Sequence, residues 1–246
     1  MADYSTIRAT TAGAQAARID EGLRAHMNKV YGTMSVGMLV TFAVAWAVGS
    51  SPALLSIFRD PVTFQPNILG WIAMFAPLIF VFVLGGAVNR VSAAGLQTMF
   101  YVFSALMGLS IAWIFAAFTG VSIAQTFLAT SIAFGSMSLY GYTTKRDLGP
   151  LGAFLMIGLI GLLVVMIVNI FVGSSALAFA VSVIGVLIFA GLTAYDTQRI
   201  KTEYVAHAAH GDTEWLGKSA ILGALNLYLN FINIFMFLLQ FLGNRE

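Results

Sequence analysis

Asp196 is the one acidic side chain that the sequence places inside an apolar stretch. The sequence contains ten Asp and Glu residues, and the other nine lie in polar tails or loops. Asp196 lies within the run 191–201, and a helix that continued to about residue 203 would bury it roughly 10 Å from its end. An ionisable group at that depth in a bilayer is costly and indicates a functional role. The alternative is a structural ion pair, to which Arg199, one turn further on, could contribute.

Three Asn side chains follow in the next apolar stretch at a helical spacing. Asn226, Asn230 and Asn233 are at positions i, i+4 and i+7, which places the three amides on one face of a helix. Because amides that faced lipid would lack hydrogen-bond partners, this face must point into a helix bundle. The face either joins helices through hydrogen bonds or forms a polar pathway beside Asp196, and the two interpretations are compatible.

Arg90 is the third candidate, because it ends an earlier apolar stretch at the same predicted depth as Asp196. A charge-assisted contact between Arg90 and Asp196 would make both groups cheaper to bury. The long Arg90 side chain could equally extend to the lipid headgroups. The sequence leaves these two alternatives open.

Other chemically active patterns are weak or missing. His207 and His210 lie three residues apart near Asp212 and Glu214, but the segment has the composition of a solvated polar loop rather than of a metal site. There is no cysteine, and the sequence has no HExxH, G-x-S-x-G or phosphate-binding-loop motif. We therefore expect no catalytic residues, no cofactor and no nucleic-acid partner.

The composition indicates that membrane-spanning helices position these residues. Hydrophobic residues make up 59% of the chain and charged residues 9%, with a mean hydropathy of +0.90, whereas soluble domains carry about 25% charged residues. Because about 20 apolar residues span a bilayer as a helix, we predict an all-α polytopic bundle of seven transmembrane helices. The predicted spans are residues 30–51, 68–89, 97–119, 122–143, 150–172, 176–199 and 219–242.

The chain divides into a polar tail and a membrane domain. Residues 1–29 are mixed in charge and lack the apolar core of a signal peptide. We predict a cytoplasmic N-terminal tail over residues 1–29, which ends in an interfacial helix at 22–29. A membrane domain over residues 30–243 follows it.

The distribution of positive charge predicts the orientation of the chain in the lipid bilayer. With the N-terminus in the cytoplasm, ten of the twelve Lys and Arg residues lie on the cytoplasmic side, in agreement with the positive-inside rule. Seven spans then place the C-terminus outside. The alternative is six spans plus a re-entrant C-terminal segment, which would place both ends inside.

Four segments of the sequence carry motifs that share a single resemblance. The first is Gly-Leu-Thr-Ala-Tyr-Asp-Thr-Gln-Arg-Ile-Lys at residues 191–201, and the others lie at residues 29–37, 137–148 and 221–233. Together they resemble the Bax inhibitor-1 family, also called the transmembrane Bax-inhibitor-motif family, and in particular its bacterial YccA/YbhL-like branch. The resemblance covers essentially residues 20–245.

The resemblance implies a seven-helix bundle in the cell inner membrane, with the last helix at its centre. Family members similar to this chain are pH-sensitive calcium leak channels, and the family is linked to stress and cell death. In the leak mechanism a carboxylate pair on the sixth and seventh helices senses protons, and an arginine at the inner end of the second helix latches the closed form. Matched by motif, the resemblance gives the proton-sensing and calcium-contacting role to Asp196 and the latch to Arg90.

The sequence departs from the family at one position of that carboxylate pair. The family's last helix typically reads Leu-Tyr-Leu-Asp-Phe-Ile-Asn, whereas the acidic position here is Asn230. An amide oxygen can still ligate calcium, but it brings no negative charge. Asp196 favours a calcium or cation leak, with Asn230 and Asn226 along the pathway. Asn230 favours the alternative, a non-conducting regulator of a membrane-bound AAA protease or of a larger membrane complex, as one bacterial branch of the family implies.

Overall fold

The computed structural model describes residues 3–208 and 212–244, with side chains from residue 18 onwards. Seven stretches within these residues are long and apolar enough to cross a membrane, and α4 and α5 together form one of them. The all-α polytopic fold with seven spans is therefore confirmed. The helices are α1 (Asp3–Gly49), α2 (Pro52–Leu55), α3 (Ile68–Ala87), α4 (Ala93–Ile111), α5 (Ile114–Ala117), α6 (Gly120–Thr143), α7 (Gly149–Val172), α8 (Ser175–His207) and α9 (Thr213–Leu242).

Helix α9 lies at the centre of the bundle, as the family resemblance implies. It packs against α1, α4, α6 and α8. The most apolar window of α9 is 67% buried, whereas that of α7 is only 11% buried because α7 presents most of its surface to lipid. The apolar side chains of α9 therefore form the core of the protein.

The two ends of α9 contact opposite ends of the bundle. Near its start, Glu214 Oε1 accepts a hydrogen bond of 2.6 Å from the backbone N–H of Ala93, at the beginning of α4. Just beyond its end, the Asn244 carbonyl accepts a bond of 3.2 Å from the N–H of Thr119, and the Asn244 N–H donates to Ser122 Oγ at 3.0 Å. Because α4 and α5 lie between these contacts, α9 crosses the whole bundle. The re-entrant alternative for the C-terminal segment is wrong.

Helix α1 continues without a break through the boundary predicted between the tail and the membrane domain. Leu23, Met27 and Val30 are spaced so that they share one face of the helix, and their exposed fractions are 4%, 5% and 0%. The segment 22–29 is therefore not a separate interfacial helix. It is part of α1, and its apolar face packs into the core. The side chains of residues 1–17 lie outside the described part of the chain.

Very short turns precede α6 and α8, and a side chain in each turn caps the start of the helix that follows. Thr119 Oγ1 accepts a bond from the N–H of Ser122 at the start of α6, and Ser174 does the same at the start of α8. Such caps satisfy backbone donors that a helix start leaves without a partner. Between α7 and α8, Gly173 adopts φ +65°, a conformation that glycine accepts at a helix end without steric cost.

Candidate functional site

Asp196 on α8 and Asn230 on α9 meet inside the bundle. The side-chain N–H of Asn230 donates a hydrogen bond of 2.7 Å to Asp196 Oδ2. Only 8% of Asp196 and 4% of Asn230 is exposed. The contact expected between Asp196 and the amide face of the last helix is thus present, and it is made by Asn230.

Small residues allow the helices around this contact to approach closely. A Cβ atom added at Gly141 on α6 would lie 2.2 Å from the carbonyl oxygen of Ala194 on α8, and one added at Gly223 on α9 would lie 2.9 Å from a side-chain carbon of Ile200. Glycine at helix interfaces permits such close backbone approach in membranes. These two glycines therefore hold α6, α8 and α9 together on either side of Asp196 along α8.

Arg199 supplies the positive charge nearest to Asp196. Its guanidinium lies 3.7 Å from Asp196 Oδ1 and 3.5 Å from Glu203 Oε1, both on α8, and 5.8 Å from the ring centre of Tyr195. The Arg199 side chain is 38% exposed, so water and lipid headgroups screen its charge in part. The structural ion pair weighed from the sequence is therefore present beside the buried hydrogen bond.

Arg90 does not reach Asp196 in this conformation. It is exposed beyond the end of α3, and no ion pair joins it to a carboxylate among residues 18–208 and 212–244. The depth of the two residues along their helices was predicted from the sequence, but their positions around the bundle were not. A latch role for Arg90 stays a prediction about another conformation.

The three amides of α9 behave differently although they share one stretch of helix. Asn233 donates within its own helix, from Nδ2 to the carbonyl of Leu229 at 2.8 Å. Asn226 is half-buried and makes no side-chain hydrogen bond to another described residue. Of the three Asn side chains, Asn230 alone bonds to α8, so a continuous row of three amides beside Asp196 is absent from the described conformation.

A chain of hydroxyl groups next to the site was not predicted from the sequence. Tyr31 on α1 hydrogen-bonds to Ser138 on α6, and Ser138 Oγ lies 3.1 Å from Thr197 Oγ1 on α8. Thr197 in turn bonds to the carbonyl of Thr193 at 2.8 Å. Because Thr197 follows Asp196 directly, this chain fixes the face of α8 beside the acid. The sequence gives no signal for it, since single hydroxyls in apolar helices follow no regular spacing.

The side chains at the site match the ligand preference of calcium only in part. Carboxylate and amide oxygens are the ligands that calcium prefers, and it takes six to eight of them. The described residues contain no group of three or more His, Cys, Asp or Glu side chains that could hold a metal ion. Asp196 therefore offers a single charged contact to a passing cation rather than a chelating site. Of the two histidines weighed as metal ligands, His210 lies outside the described residues.

Comparison with known proteins assigns the chain. The family model described as "Inhibitor of apoptosis-promoting Bax1" matches residues 23–246. The chain belongs to this Bax inhibitor family. The family resemblance of the motifs around Asp196 and Asn230 is thereby confirmed.

Several bacterial proteins are among its relatives in this family. The chain is 45% identical over 225 residues to the inner membrane protein YbhL of Escherichia coli K12, a match that covers 92% of this chain and 94% of YbhL. It is 42% identical to an uncharacterized protein of Caulobacter vibrioides, covering 93% and 92% of the two chains. It is 41% identical to the uncharacterized protein RP147 of Rickettsia prowazekii over the full length of both. The chain is a Bax inhibitor family integral membrane protein, and the YbhL likeness and seven apolar helices support a multi-pass inner-membrane location.

Proposed function

We propose that this Bax inhibitor family protein is a pH-sensitive calcium or cation leak of the inner membrane, with a role in stress. The N-terminus lies in the cytoplasm in this proposal. The observation that supports it best is the buried hydrogen bond between Asp196 and Asn230. A charged side chain this deep in a membrane bundle costs free energy, and proteins keep such groups mainly along ion pathways.

In this proposal, the contact between Asp196 and Asn230 belongs to a closed state of the leak. The side-chain amide nitrogen of Asn230 donates a hydrogen bond of 2.7 Å to Asp196 Oδ2. The Arg199 guanidinium lies 3.7 Å from Asp196 Oδ1. A cation can bind Asp196 only after at least one of these partners moves. Because the Asn230 side chain can rotate to present its oxygen, the same two residues could then offer two oxygen ligands to calcium.

The alternative function is a non-conducting regulator of a membrane-bound AAA protease or of a larger membrane complex. The closed packing around Asp196 favours it, because Asp196 lines neither of two cavities that the described residues form. The missing second carboxylate at Asn230 favours it as well, since a site with one charge binds calcium more weakly than a site with two.

Calcium flux into liposomes that contain only this protein tests the leak. We expect calcium entry above that of empty liposomes, and Asp196→Asn should reduce it about tenfold, because calcium affinity depends on the number of charged ligands. Asp60→Asn is the matched control, since Asp60 is an acid in the loop between α2 and α3, and this substitution should leave the flux unchanged. Flux equal to that of empty liposomes between pH 6 and 8 would contradict the leak and favour the regulator.

A fusion experiment tests the orientation. A reporter that is active only outside the cytoplasm, fused after residue 246, should be active, because ten of twelve positive charges favour a cytoplasmic N-terminus and seven spans then place the C-terminus outside. Activity of a cytoplasmic reporter at the same position would contradict this orientation.

A further inference from the structure

Helices α1 and α6 diverge at one end of the bundle and leave a groove between them. The cavity has a volume of about 420 Å³, within the range of about 300–1,000 Å³ that small-molecule sites occupy. Its lining includes Tyr31 and Ser138, whose side chains hydrogen-bond to each other. The groove is separate from the Asp196–Asn230 contact, because neither of those residues lines it.

The lining of this groove differs between its two ends. Arg24 and Asn28 of α1 line it together with Tyr142, which lies next to the last residue of α6. Towards the other end of the groove, the lining of α6 includes Phe134. Phe134 lies eight residues before Tyr142 on α6, which corresponds to about 12 Å along the helix axis. The groove therefore has a polar end near the α6–α7 turn and an apolar end at Phe134.

The outer wall of the groove faces lipid. Leu139 lines the groove and is 64% exposed, and Ile132 on the same helix is 62% exposed. Large apolar side chains with such exposure in a membrane protein contact acyl chains. A ligand in the groove can thus enter from the side, out of the bilayer, and keep an apolar part in contact with lipid.

The polar end carries a positive charge without an ion-pair partner among the side chains that the structure describes. Arg24 is exposed, and no carboxylate among the residues with described side chains lies within ion-pair distance of it. The amide of Asn28 and the hydroxyl of Tyr142 are the neighbouring hydrogen-bond donors in the lining. An arginine with additional donors beside it matches the geometry and charge of a phosphate group.

We propose that this groove binds an anionic phospholipid from the bilayer. The phosphate and headgroup contact Arg24, Asn28 and Tyr142, and one acyl chain lies along Phe134 and Leu139 into the apolar end. Because Tyr31 and Ser138 line the groove, the bound lipid lies beside the start of the hydroxyl chain that leads to α8. This proposal is independent of whether the protein conducts calcium.

The test compares two lipids that share acyl chains but differ in headgroup charge. The purified full chain in detergent is titrated with phosphatidylglycerol or phosphatidylcholine, and bound lipid is measured by native mass spectrometry. We expect phosphatidylglycerol to bind about tenfold more tightly, and Arg24→Gln to remove that preference, because a charge-assisted contact is lost. Arg18→Gln, an exposed arginine of the same helix, is the matched control and should keep the preference.

A second pair of variants separates the groove from general lipid contact. A Cβ atom at Gly135 in the lining of the groove, or at Gly161 on the lipid-facing helix α7, would meet no heavy atom within 4 Å. Gly135→Phe should fill the groove and abolish tight phosphatidylglycerol binding, whereas Gly161→Phe should not. Thermal unfolding of each variant checks that it is folded, and the arginine pair decides the question if Gly135→Phe is not.

Three results would overturn the proposal. The first is equal affinity of wild type for the two lipids, which would leave only acyl-chain contact. The second is an equal loss of binding in Arg24→Gln and Arg18→Gln, or in folded Gly135→Phe and Gly161→Phe. The third is binding of inorganic phosphate as tight as that of phosphatidylglycerol, which would assign the polar end to a soluble anion instead.

Discussion

The central helix α9 makes two buried polar contacts on nearly opposite sides, and they differ in kind. Tyr228 and Asn230 are two residues apart, which corresponds to about 200° around a helix. The Tyr228 hydroxyl lies 2.6 Å from Thr41 Oγ1 of α1, and its ring packs edge-on against Phe100 and Phe103 of α4. Asn230 faces α8 and bonds to the charged Asp196.

This difference indicates which side of α9 is fixed and which side can exchange its hydrogen-bond partners. Thr41 also lies 2.9 Å from the carbonyl of Ser104, so the neutral side forms a closed set of hydrogen bonds within aromatic packing. A carboxylate can accept about four hydrogen bonds, but Asp196 has one bond and one ion pair at 3.7 Å. The charged side can therefore exchange partners when Asn230 or Arg199 moves, whereas a closed set of hydrogen bonds holds the neutral side.

The largest expected effect comes from breaking the neutral side. Tyr228→Ala should lower the free energy of unfolding by about 3–5 kcal/mol, because it leaves a cavity in the core. Tyr228→Phe keeps the ring and should cost only about 1 kcal/mol for the lost hydrogen bond. Unfolding of the detergent-solubilised protein measures both. Tyr140→Ala, an exposed tyrosine on α6, is the control, and a loss as large as that of Tyr228→Ala would contradict a fixed neutral side.

The next effect comes from adding a second charge to the charged side. Asn230→Asp places two carboxylates at the position of a 2.7 Å contact, and like charges about 4 Å apart repel by roughly 4 kcal/mol at an effective dielectric of 20. Such a pair shares a proton and titrates as a unit. We expect stronger calcium binding and a calcium flux that responds more steeply to pH than that of wild type.

Flux into liposomes at pH 6, 7 and 8 measures this response. Gln240→Glu is the matched control, because Gln240 is an exposed amide of the same helix ten residues beyond Asn230, and its flux should keep the wild-type pH dependence. If wild type already responds as steeply as Asn230→Asp, then another group senses protons and the role given to the missing carboxylate is wrong.

The smallest effect concerns an exposed carboxylate that accepts hydrogen bonds from two backbone N–H groups. Asp60 lies in the loop between α2 and α3, and its Oδ1 accepts bonds from the N–H groups of Thr63 at 2.8 Å and Val62 at 2.9 Å. These bonds lower the pKa of Asp60. Its contribution to stability is therefore complete above the ordinary aspartate pKa of about 3.9 and is lost as the pH falls through the lowered value.

Asp60→Asn should accordingly lower the melting temperature slightly at pH 7, and the difference from wild type should shrink as the pH falls below about 3.9. Thermal unfolding in detergent across this range measures it. A difference that stays constant with pH would show that the charge of Asp60 does not strengthen the turn.

The sequence predicts the spans and the buried acid well, because both depend on local composition. Asp196 is conspicuous as one acid in a long apolar stretch, and Asn230 follows from the helical spacing of amides in the next one. The sequence does not decide which arginine pairs with Asp196. Arg199 and Arg90 lie at similar depth, and only the packing of helices around the bundle axis decides which one reaches Asp196.

The first helix extends past the boundary predicted at residue 30 for a different physical reason. Between residues 18 and 30, charged side chains such as Arg24 and Lys29 lower the mean hydropathy, although Leu23, Met27 and Val30 form an apolar stripe at helical spacing. A helix can bury one face while the other stays polar, so average hydropathy misses this segment. The period of the apolar residues indicates it correctly.

The position of α9 has a consequence for the order in which the bundle assembles. Helices α1 to α8 leave the ribosome before α9, yet α1, α4, α6 and α8 all pack against it. Until α9 is synthesised, these four helices lack their common packing partner, and Asp196 lacks its hydrogen bond from Asn230. The native core therefore closes only when α9 inserts, and a nascent chain that stalls before α9 leaves Asp196 without its hydrogen bond from Asn230.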